Sequence, residues 1–400
     1  MTSFGEILSR KGVFKDKGIL SPHYVPESLL FREDEIKRIM FCVAPALKGA
    51  KSKNLFIYGK TGTGKTASTK YVITKLNEEK NERVKQVYMN CRVYDTRYRV
   101  LQKAISEFQL DIAKTGYAFA LLYEKMLDWI EGSDNVQGKQ LILILDEVDM
   151  VKDLDNLVYT LTRANDDLKA GNVSIIGISN KVNFKQRLDV RSRSSLCEEE
   201  LVFQPYDAEQ LKGILEQRIG GAFEEGIVGE SAINLAAAIA ARENGDARYA
   251  LTLLLRAGEL AETMKLDKVT DEEVEKARKI ADEDKAVEVI SSLPEHQQMV
   301  LYALASISSD SEYKKLVEEG GDRFYFSGEI YERYCSHIKK LGKEPVSSRW
   351  YREYLDELTN LGLIAAVQSG KGIRGHTTLI KLAYDAPKVR KVVEKTLMAD

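Results

Sequence analysis

Cysteine is scarce and scattered. Cys42, Cys91, Cys197 and Cys335 lie far apart with no paired spacing, so neither a zinc cluster nor a disulfide framework is expected, and a reducing cytoplasm fits best. No window approaches the apolar length that a bilayer span needs, and the opening Met1-Thr2-Ser3-Phe4-Gly5-Glu6 is too polar for a secretory signal, so no membrane partner is expected. An excess of one charge is missing as well. The net charge of −2 does not announce a nucleic-acid binder, although such binding depends on local basic density rather than on the total. Locally the charge is uneven: residues 259–288 carry 11 acidic and 6 basic side chains, whereas residues 321–400 carry 14 basic and 10 acidic. That asymmetry implies a partner for the tail. What is present is a chain of 400 residues, 44% apolar and 30% charged, which suits a globular protein of two or three domains.

One stretch organises the rest. Gly59-Lys60-Thr61-Gly62-Thr63-Gly64-Lys65-Thr66 follows the apolar run Leu55-Phe56-Ile57-Tyr58 and precedes a segment with helical spacing from Thr66 to about Glu79. Strand, glycine loop and helix in that order make a phosphate cradle: the glycines let backbone amides approach a polyphosphate, and the helix aims its positive end at the same anion. Lys65 would reach the β- and γ-phosphates of ATP, and Thr66 would offer its hydroxyl to Mg2+, which prefers hard oxygen ligands.

Downstream, Val87–Cys91 reads as a second strand and Tyr98–Phe108 as its helix, and residues 110–130 add an amphipathic stretch. Leu141-Ile142-Leu143-Ile144-Leu145 is unbroken by polar residues, as a central parallel strand covered on both faces requires, and it ends in Asp146-Glu147. A carboxylate at that end of the strand sits beside the phosphate loop, where Asp146 can hold Mg2+ through water and Glu147 can polarise an attacking water. Val173–Ser179 is a further buried strand, and it delivers Asn180, whose amide can contact the γ-phosphate or orient the water. The alternation of strands and helices over residues 20–203 demands a doubly wound α/β sheet. Tyr24, Val25 and Pro26, upstream of the first strand, form either a linker or a wrap for the adenine base. Arg191 and Arg193 are either solvated or aimed at the nucleotide of a neighbouring subunit.

From Tyr206 the pattern is helical only. Asp207 and Asp246 stand at cap positions, Thr270-Asp271-Glu272-Glu273 has capping-box spacing, and Arg248 falls in a first helical turn, where an anion is its expected partner. The expected organisation is a mobile basic arm over residues 1–20, a nucleotide-binding base over 21–203, a helical lid over 204–282 and, after the acidic link Asp282-Glu283-Asp284, a final domain over 283–400. There, Ser347 can cap a helix from Ser348 to Asn360 that presents Arg349 and Arg352 while Trp350, Tyr354, Leu355 and Leu358 pack inward. Two strands flanking Gly370-Lys371-Gly372-Ile373-Arg374-Gly375-His376 complete a winged helix-turn-helix. Its third helix fits the major groove of a DNA duplex, and Lys371 and Arg374 fit the minor groove or backbone phosphates. Winged helices also dock proteins.

Together these motifs resemble the archaeal replication initiators, relatives of the eukaryotic origin recognition complex large subunit and the cell-division-cycle helicase loader, within the AAA+ superfamily. The resemblance spans residues 20–400 and rests on Tyr24-Val25-Pro26 with Arg32-Glu33, the loop Gly59 to Thr66, Asp146-Glu147, Gly177-Ile178-Ser179-Asn180, Leu188-Asp189 with Arg191, Phe203-Gln204-Pro205-Tyr206 and Gly245-Asp246-Ala247-Arg248. It implies a weak ATPase that binds ATP or ADP with Mg2+ and works as a switch on double-stranded origin DNA. Its implied partners are other initiator protomers and the replicative minichromosome maintenance helicase, and its implied location is the nucleoid. By the same resemblance Tyr206 joins the nucleotide site, Asn180 and Arg248 are the two sensors, and Arg191 is the inter-subunit arginine, although Asp189-Val190-Arg191 departs from the usual Asp-Pro-Arg and Arg193 competes for the role. Lys114, within residues 108–122, is implied to lie in a helical insertion that touches DNA. A signal-transduction ATPase with an internal winged-helix clamp and a clamp-loader-like ATPase are the rival readings.

Overall fold

The computed structural model describes residues 12–22, 24–108, 116–132, 138–181, 184, 186, 188–196, 198–310, 316–319, 322–368 and 378–397. The chain divides into two compact units, Met1–Glu275 and Lys276–Asp400. Among the described residues no helix is long and apolar enough to cross a membrane.

The first unit is built on strands β1 (Leu55–Tyr58), β2 (Val84–Asn90), β3 (Gln140–Asp146), β4 (Asn172–Ser179) and β5 (Glu199–Val202), all parallel, in the order β2-β3-β4-β1-β5. Helices α1 (Glu33–Val43) and α2 (Lys65–Glu78) cover one face, where Ile36, Ile39, Val72 and Leu76 meet Ile142 and Ile144. On the other face lie α3 (Arg97–Ser106), α4 (Phe119–Glu131) and α5 (Leu154–Asp167), whose Leu101, Leu122, Met126 and Leu157 meet Leu141, Leu143 and Leu145. Consecutive β3 residues thus enter opposite cores, which is why the strand carries no polar break. A short α6 (Val190–Leu196) precedes β5. This last strand, Glu-Glu-Leu-Val, lacks an apolar run because it is an edge strand.

The lid comprises α7 (Ala208–Ala222), α8 (Glu230–Arg242) and α9 (Ala247–Met264), followed by the start of α10 (Asp271–Ser292). Asp207 closes a full capping box with Gln210, and Asp246 accepts from the amides of Arg248 and Tyr249. The basic arm expected over residues 1–20 is not loose from Gly12 onward; residues 1–11 lie outside the described part. Val13 and Leu20 are buried, the Phe14 ring packs 4.6 Å from that of Phe223, and Lys17 pairs with Glu262 at 2.7 Å. Apolar residues interleaved with the lysines sew this segment to the lid.

The second unit contains α11 (Glu295–Ser308), β6 (Leu316–Glu319), β7 (Asp322–Phe326), α12 (Ser327–Lys340), α13 (Ser348–Asn360), β8 (Ile364–Gln368), β9 (Thr378–Leu382) and α14 (Ala386–Leu397). Its antiparallel sheet runs β6-β7-β9-β8. Two expectations change here. The acidic triplet at 282–284 is helix rather than link, since α10 runs through it without a glycine or proline to stop it, and Glu283 pairs with Lys388 at 2.6 Å. Trp350 points outward, 57% exposed, whereas Tyr351 is 3% exposed. The inward stripe is Tyr351, Leu355 and Leu358, spaced i, i+4, i+7, and Trp350 falls one step of rotation off it. The hairpin of β6 and β7 and the closing α14 carry no motif that singled them out.

Candidate functional site

Because the five strands run parallel, the turns after β1, β3 and β4 emerge at one edge of the sheet. β1 lies between β4 and β5, with Tyr58 opposite Ser179, and Asp146 lies opposite Ile178. Gly62 (φ 69) and Gly64 (φ 93) take left-handed conformations in the loop that leads from β1 into α2. At Gly62 an added Cβ would stand 1.7 Å from an Asp246 carboxylate oxygen, so the lid presses on the loop and leaves no room for a side chain. Lys65 is buried at 5% exposure and donates to the carbonyls of Gly59 at 2.8 Å and Lys60 at 2.6 Å. Burial, and then the charge of Arg248, pull its pKa down to about 8.

The acidic side is tightly organised. Asp146 Oδ2 accepts from the Thr66 hydroxyl at 2.9 Å and the Tyr88 hydroxyl at 2.6 Å, while its Oδ1 takes the Glu147 amide at 3.0 Å. Burial and the Asp146 carboxylate raise the Tyr88 pKa, so this hydroxyl stays a donor. Glu147 adopts φ 54 and is paired with Arg92. Asn180 is exposed at the end of β4, and Asp149 grips both its neighbours, accepting from Ser179 Oγ at 2.8 Å and pairing with Lys181 at 3.0 Å.

On the lid side the Ala247 amide donates to the Gly62 carbonyl at 3.2 Å, and Lys60 donates to Asn244 at 2.8 Å. Arg32 is 4% exposed and joins the parts: Nε donates to the Thr63 carbonyl at 3.0 Å, Nη2 to the Gln204 carbonyl at 2.6 Å, and Nη1 meets Glu35 at 2.7 Å. Its guanidinium lies 3.9 Å over the Tyr206 ring.

These groups enclose a divided cavity. One part, about 210 Å³, is lined by Gly62, Thr63, Gly64, Lys65, Thr66 and Asp146, with Glu147, Asn180 and Arg248. The other, about 130 Å³, is lined by Tyr24, Val25, Pro26, Tyr206 and Arg218, and shares Gly62, Gly64, Thr66, Lys70 and Arg248 with the first. Polar donors thus gather at one end and apolar walls at the other, which fits a nucleoside polyphosphate. The Thr66 hydroxyl beside the Asp146 carboxylate supplies two hard oxygens suited to Mg2+, with phosphate and water as the natural remaining ligands.

Several residues singled out in the sequence lie elsewhere. Gly59, Lys60 and Thr61 line neither part of the cavity; Gly59 serves through its carbonyl and Lys60 through its bond to the lid. Arg191 and Arg193 are exposed on α6, outside the cavity. In the second unit Ser347, Ser348, Arg349 and Arg352 are exposed at the start of α13, where Ser347 is the cap residue but makes no side-chain cap bond. Lys114, Lys371 and Arg374 lie outside the described residues. Tyr88, Arg92 and Asp149 are residues of the candidate site that motif reading passed over, and Arg32 was quoted with Glu33 but given no role. Only Tyr88 left a usable signal, two positions before Asn90 on the same face of β2.

Comparison with known proteins agrees with this layout. Residues 50–185 match the AAA domain family, residues 212–279 the Cdc6 AAA+ ATPase-type lid domain and residues 288–392 the C-terminal winged helix domain of CDC6. The chain is 40% identical over 390 residues to ORC1-type DNA replication protein 1 of Sulfurisphaera tokodaii, covering 97% of this chain and 94% of that one. It is 39% identical over 398 residues to the ORC1-type DNA replication protein of Pyrococcus abyssi, covering 97% and 92%. Its fold is similar to the structure of the Aeropyrum pernix ORC1 protein in complex with DNA, with a TM-score of 0.72, 36% identity and coverage of 96% and 97%.

Proposed function

Since the chain belongs to the ORC1-type DNA replication proteins, we propose that it is an ATP-dependent initiator that binds double-stranded origin DNA and helps recruit the replicative minichromosome maintenance helicase. The observation that carries this reading is the convergence of the glycine loop, Asp146-Glu147, Asn180 and the lid residue Arg248 on one cavity. In it, loop amides and Lys65 hold the phosphates of ATP, and Thr66 and Asp146 hold Mg2+, which neutralises charge on the phosphates when bound. Glu147 orients the attacking water once it leaves Arg92, and Asn180 fixes that water or the γ-phosphate. Tyr24, Val25, Pro26 and Tyr206 wall the base.

Arg248 reads the γ-phosphate from the lid and so couples nucleotide state to lid posture. Arg191, or Arg193 beside it, serves the site of a neighbouring protomer on DNA, because both are exposed and line neither part of their own cavity. Hydrolysis is slow and resets the switch. The exposed Arg349 and Arg352 of α13, with Lys371 and Arg374 of the loop between β8 and β9 and Lys114, grip the duplex. That the Aeropyrum pernix relative was solved in complex with DNA supports this part. The protein accordingly works in the cytoplasm on the nucleoid.

Duplex affinity measured over a salt series, with ATP, with ADP and without nucleotide, tests the reading. Wild-type protein should bind with a steep salt slope, and Arg349→Ala with Arg352→Ala should flatten it by roughly 0.9 for each phosphate no longer neutralised. Equal slopes and affinities would leave α13 as a protein-docking helix.

A further inference from the structure

Arg218 on α7 is a buried cation with no acid partner among the described residues. It is 6% exposed, its Nε and Nη1 find no partner among the described residues, and its Nη2 reaches the Tyr24 carbonyl only at 3.5 Å. The guanidinium lies 4.6 Å over the Tyr24 ring, which covers one of its faces. Desolvation lowers its pKa, yet an arginine in a protein stays charged. Unpaired donors on a buried charge are costly, so such a group calls for an acceptor that the described residues do not supply.

Arg218 lines the cavity on the side of Val25, Pro26, Ile214 and Leu251, and it is absent from the lining of the part that holds Lys65, Asp146 and Glu147. The phosphate end already has Lys65, Lys70 and Arg248 for anionic charge. A nucleotide whose phosphates lie on the glycine loop would bring its base to the apolar part, and a purine offers acceptors there in its ring nitrogens. We propose that Arg218 is a specificity-determining residue that donates a hydrogen bond to a ring nitrogen of the purine base. The inference rests on the nucleotide reading of the cavity and adds to it the group that distinguishes a nucleotide from bare polyphosphate.

The test measures affinities of full-length wild-type, Arg218→Met and Arg218→Lys proteins for ATP, its 1-, 3- and 7-deaza analogues, 2′-deoxy-ATP and inorganic tripolyphosphate. Methionine keeps the length and packing of the side chain without its donors. Arg218→Met should weaken ATP by about tenfold or more and leave tripolyphosphate unchanged, as expected for a lost hydrogen bond from a charged donor. One deaza analogue should lose about as much on wild type and nothing further on the variant. ATP affinity unchanged by Arg218→Met, a loss shared by tripolyphosphate, or a loss that follows 2′-deoxy-ATP would each overturn the proposal. If the variants do not fold, the wild-type deaza series decides: no penalty at any ring nitrogen overturns it, and a penalty at one supports it. Wild-type protein that binds tripolyphosphate and every nucleotide equally removes the base contact alone, whereas protein that binds none of them removes the nucleotide site and the proposal with it.

Discussion

Lys65 holds its charge where charge is poorly tolerated, and that gives the site a pH signature. With its pKa pulled down to about 8, the unliganded ammonium is mostly protonated at pH 7 and loses its proton as the pH rises through 8. A bound polyphosphate favours the ammonium and raises its pKa. Binding above pH 8 must therefore take up a proton, and affinity must fall as the pH climbs through the window between the free and bound values. Calorimetry at pH 9 in two buffers of different ionisation enthalpy should register uptake of most of a proton by wild type and none by Lys65→Arg, whose charge does not titrate there. No uptake by wild type would mean that Lys65 does not face the phosphates. At this scale the sequence was readable wherever a residue type is bound to a chemical task, as with Gly62, Lys65, Asp146 and Asn180. Asp149 and Arg92 were hidden because they work through partners 30 and 55 positions away.

Helix α13 shows how one step of rotation redistributes an element's work. Tyr351 is buried and donates to the Ser327 carbonyl at 3.0 Å, whereas Trp350 stands in solvent beside Arg349, whose side chain is 89% exposed. Tyr351→Ala should destabilise the second unit by about 3 to 5 kcal/mol, the usual cost of truncating a buried aromatic. Trp350→Ala should stay within about 0.5 kcal/mol of wild type, as surface substitutions do. Denaturant melts of both variants, read beside duplex affinity, separate the two faces: Trp350→Ala should lose DNA affinity with its stability intact. A large loss of stability in that variant would put Trp350 back in the core. The helix's existence and its cap position were legible from Ser347 and the apolar spacing. Its phase was not, because Trp350, Tyr351 and Tyr354 are all apolar enough to be buried and only neighbouring elements choose among them. The same lack of neighbours left β6, β7 and α14 unmarked.

At the scale of the molecule, the first unit is clasped at Arg32, which binds the glycine loop through Thr63, the strand-to-lid connection through Gln204 and the Tyr206 ring. Arg32→Ala strands two carbonyls and Glu35, and should cost roughly 3 kcal/mol. Because lysine has neither the fork nor the flat face, Arg32→Lys should recover little. Thermal melts with and without ATP check this: the variant should melt lower and gain less from ATP than wild type, since its base and lid no longer answer to each other. An undiminished ATP-induced rise would show that the clasp is dispensable. The architecture of the chain was legible because alternating strands and helices, a glycine loop and a late basic tail are local patterns. The clasp joins residues 31 and 172 positions apart, so Arg32 and Gln204 could be read as parts of motifs while the contact between those motifs could not.

Gly62 faces an acidic side chain of the lid as well as the place for phosphate. Its smallness is therefore required twice over: in a protein relieved of nucleotide binding, a methyl group there would still have to turn the Asp246 carboxylate out of its cap on α9, on a backbone whose φ of 69 disfavours any side chain.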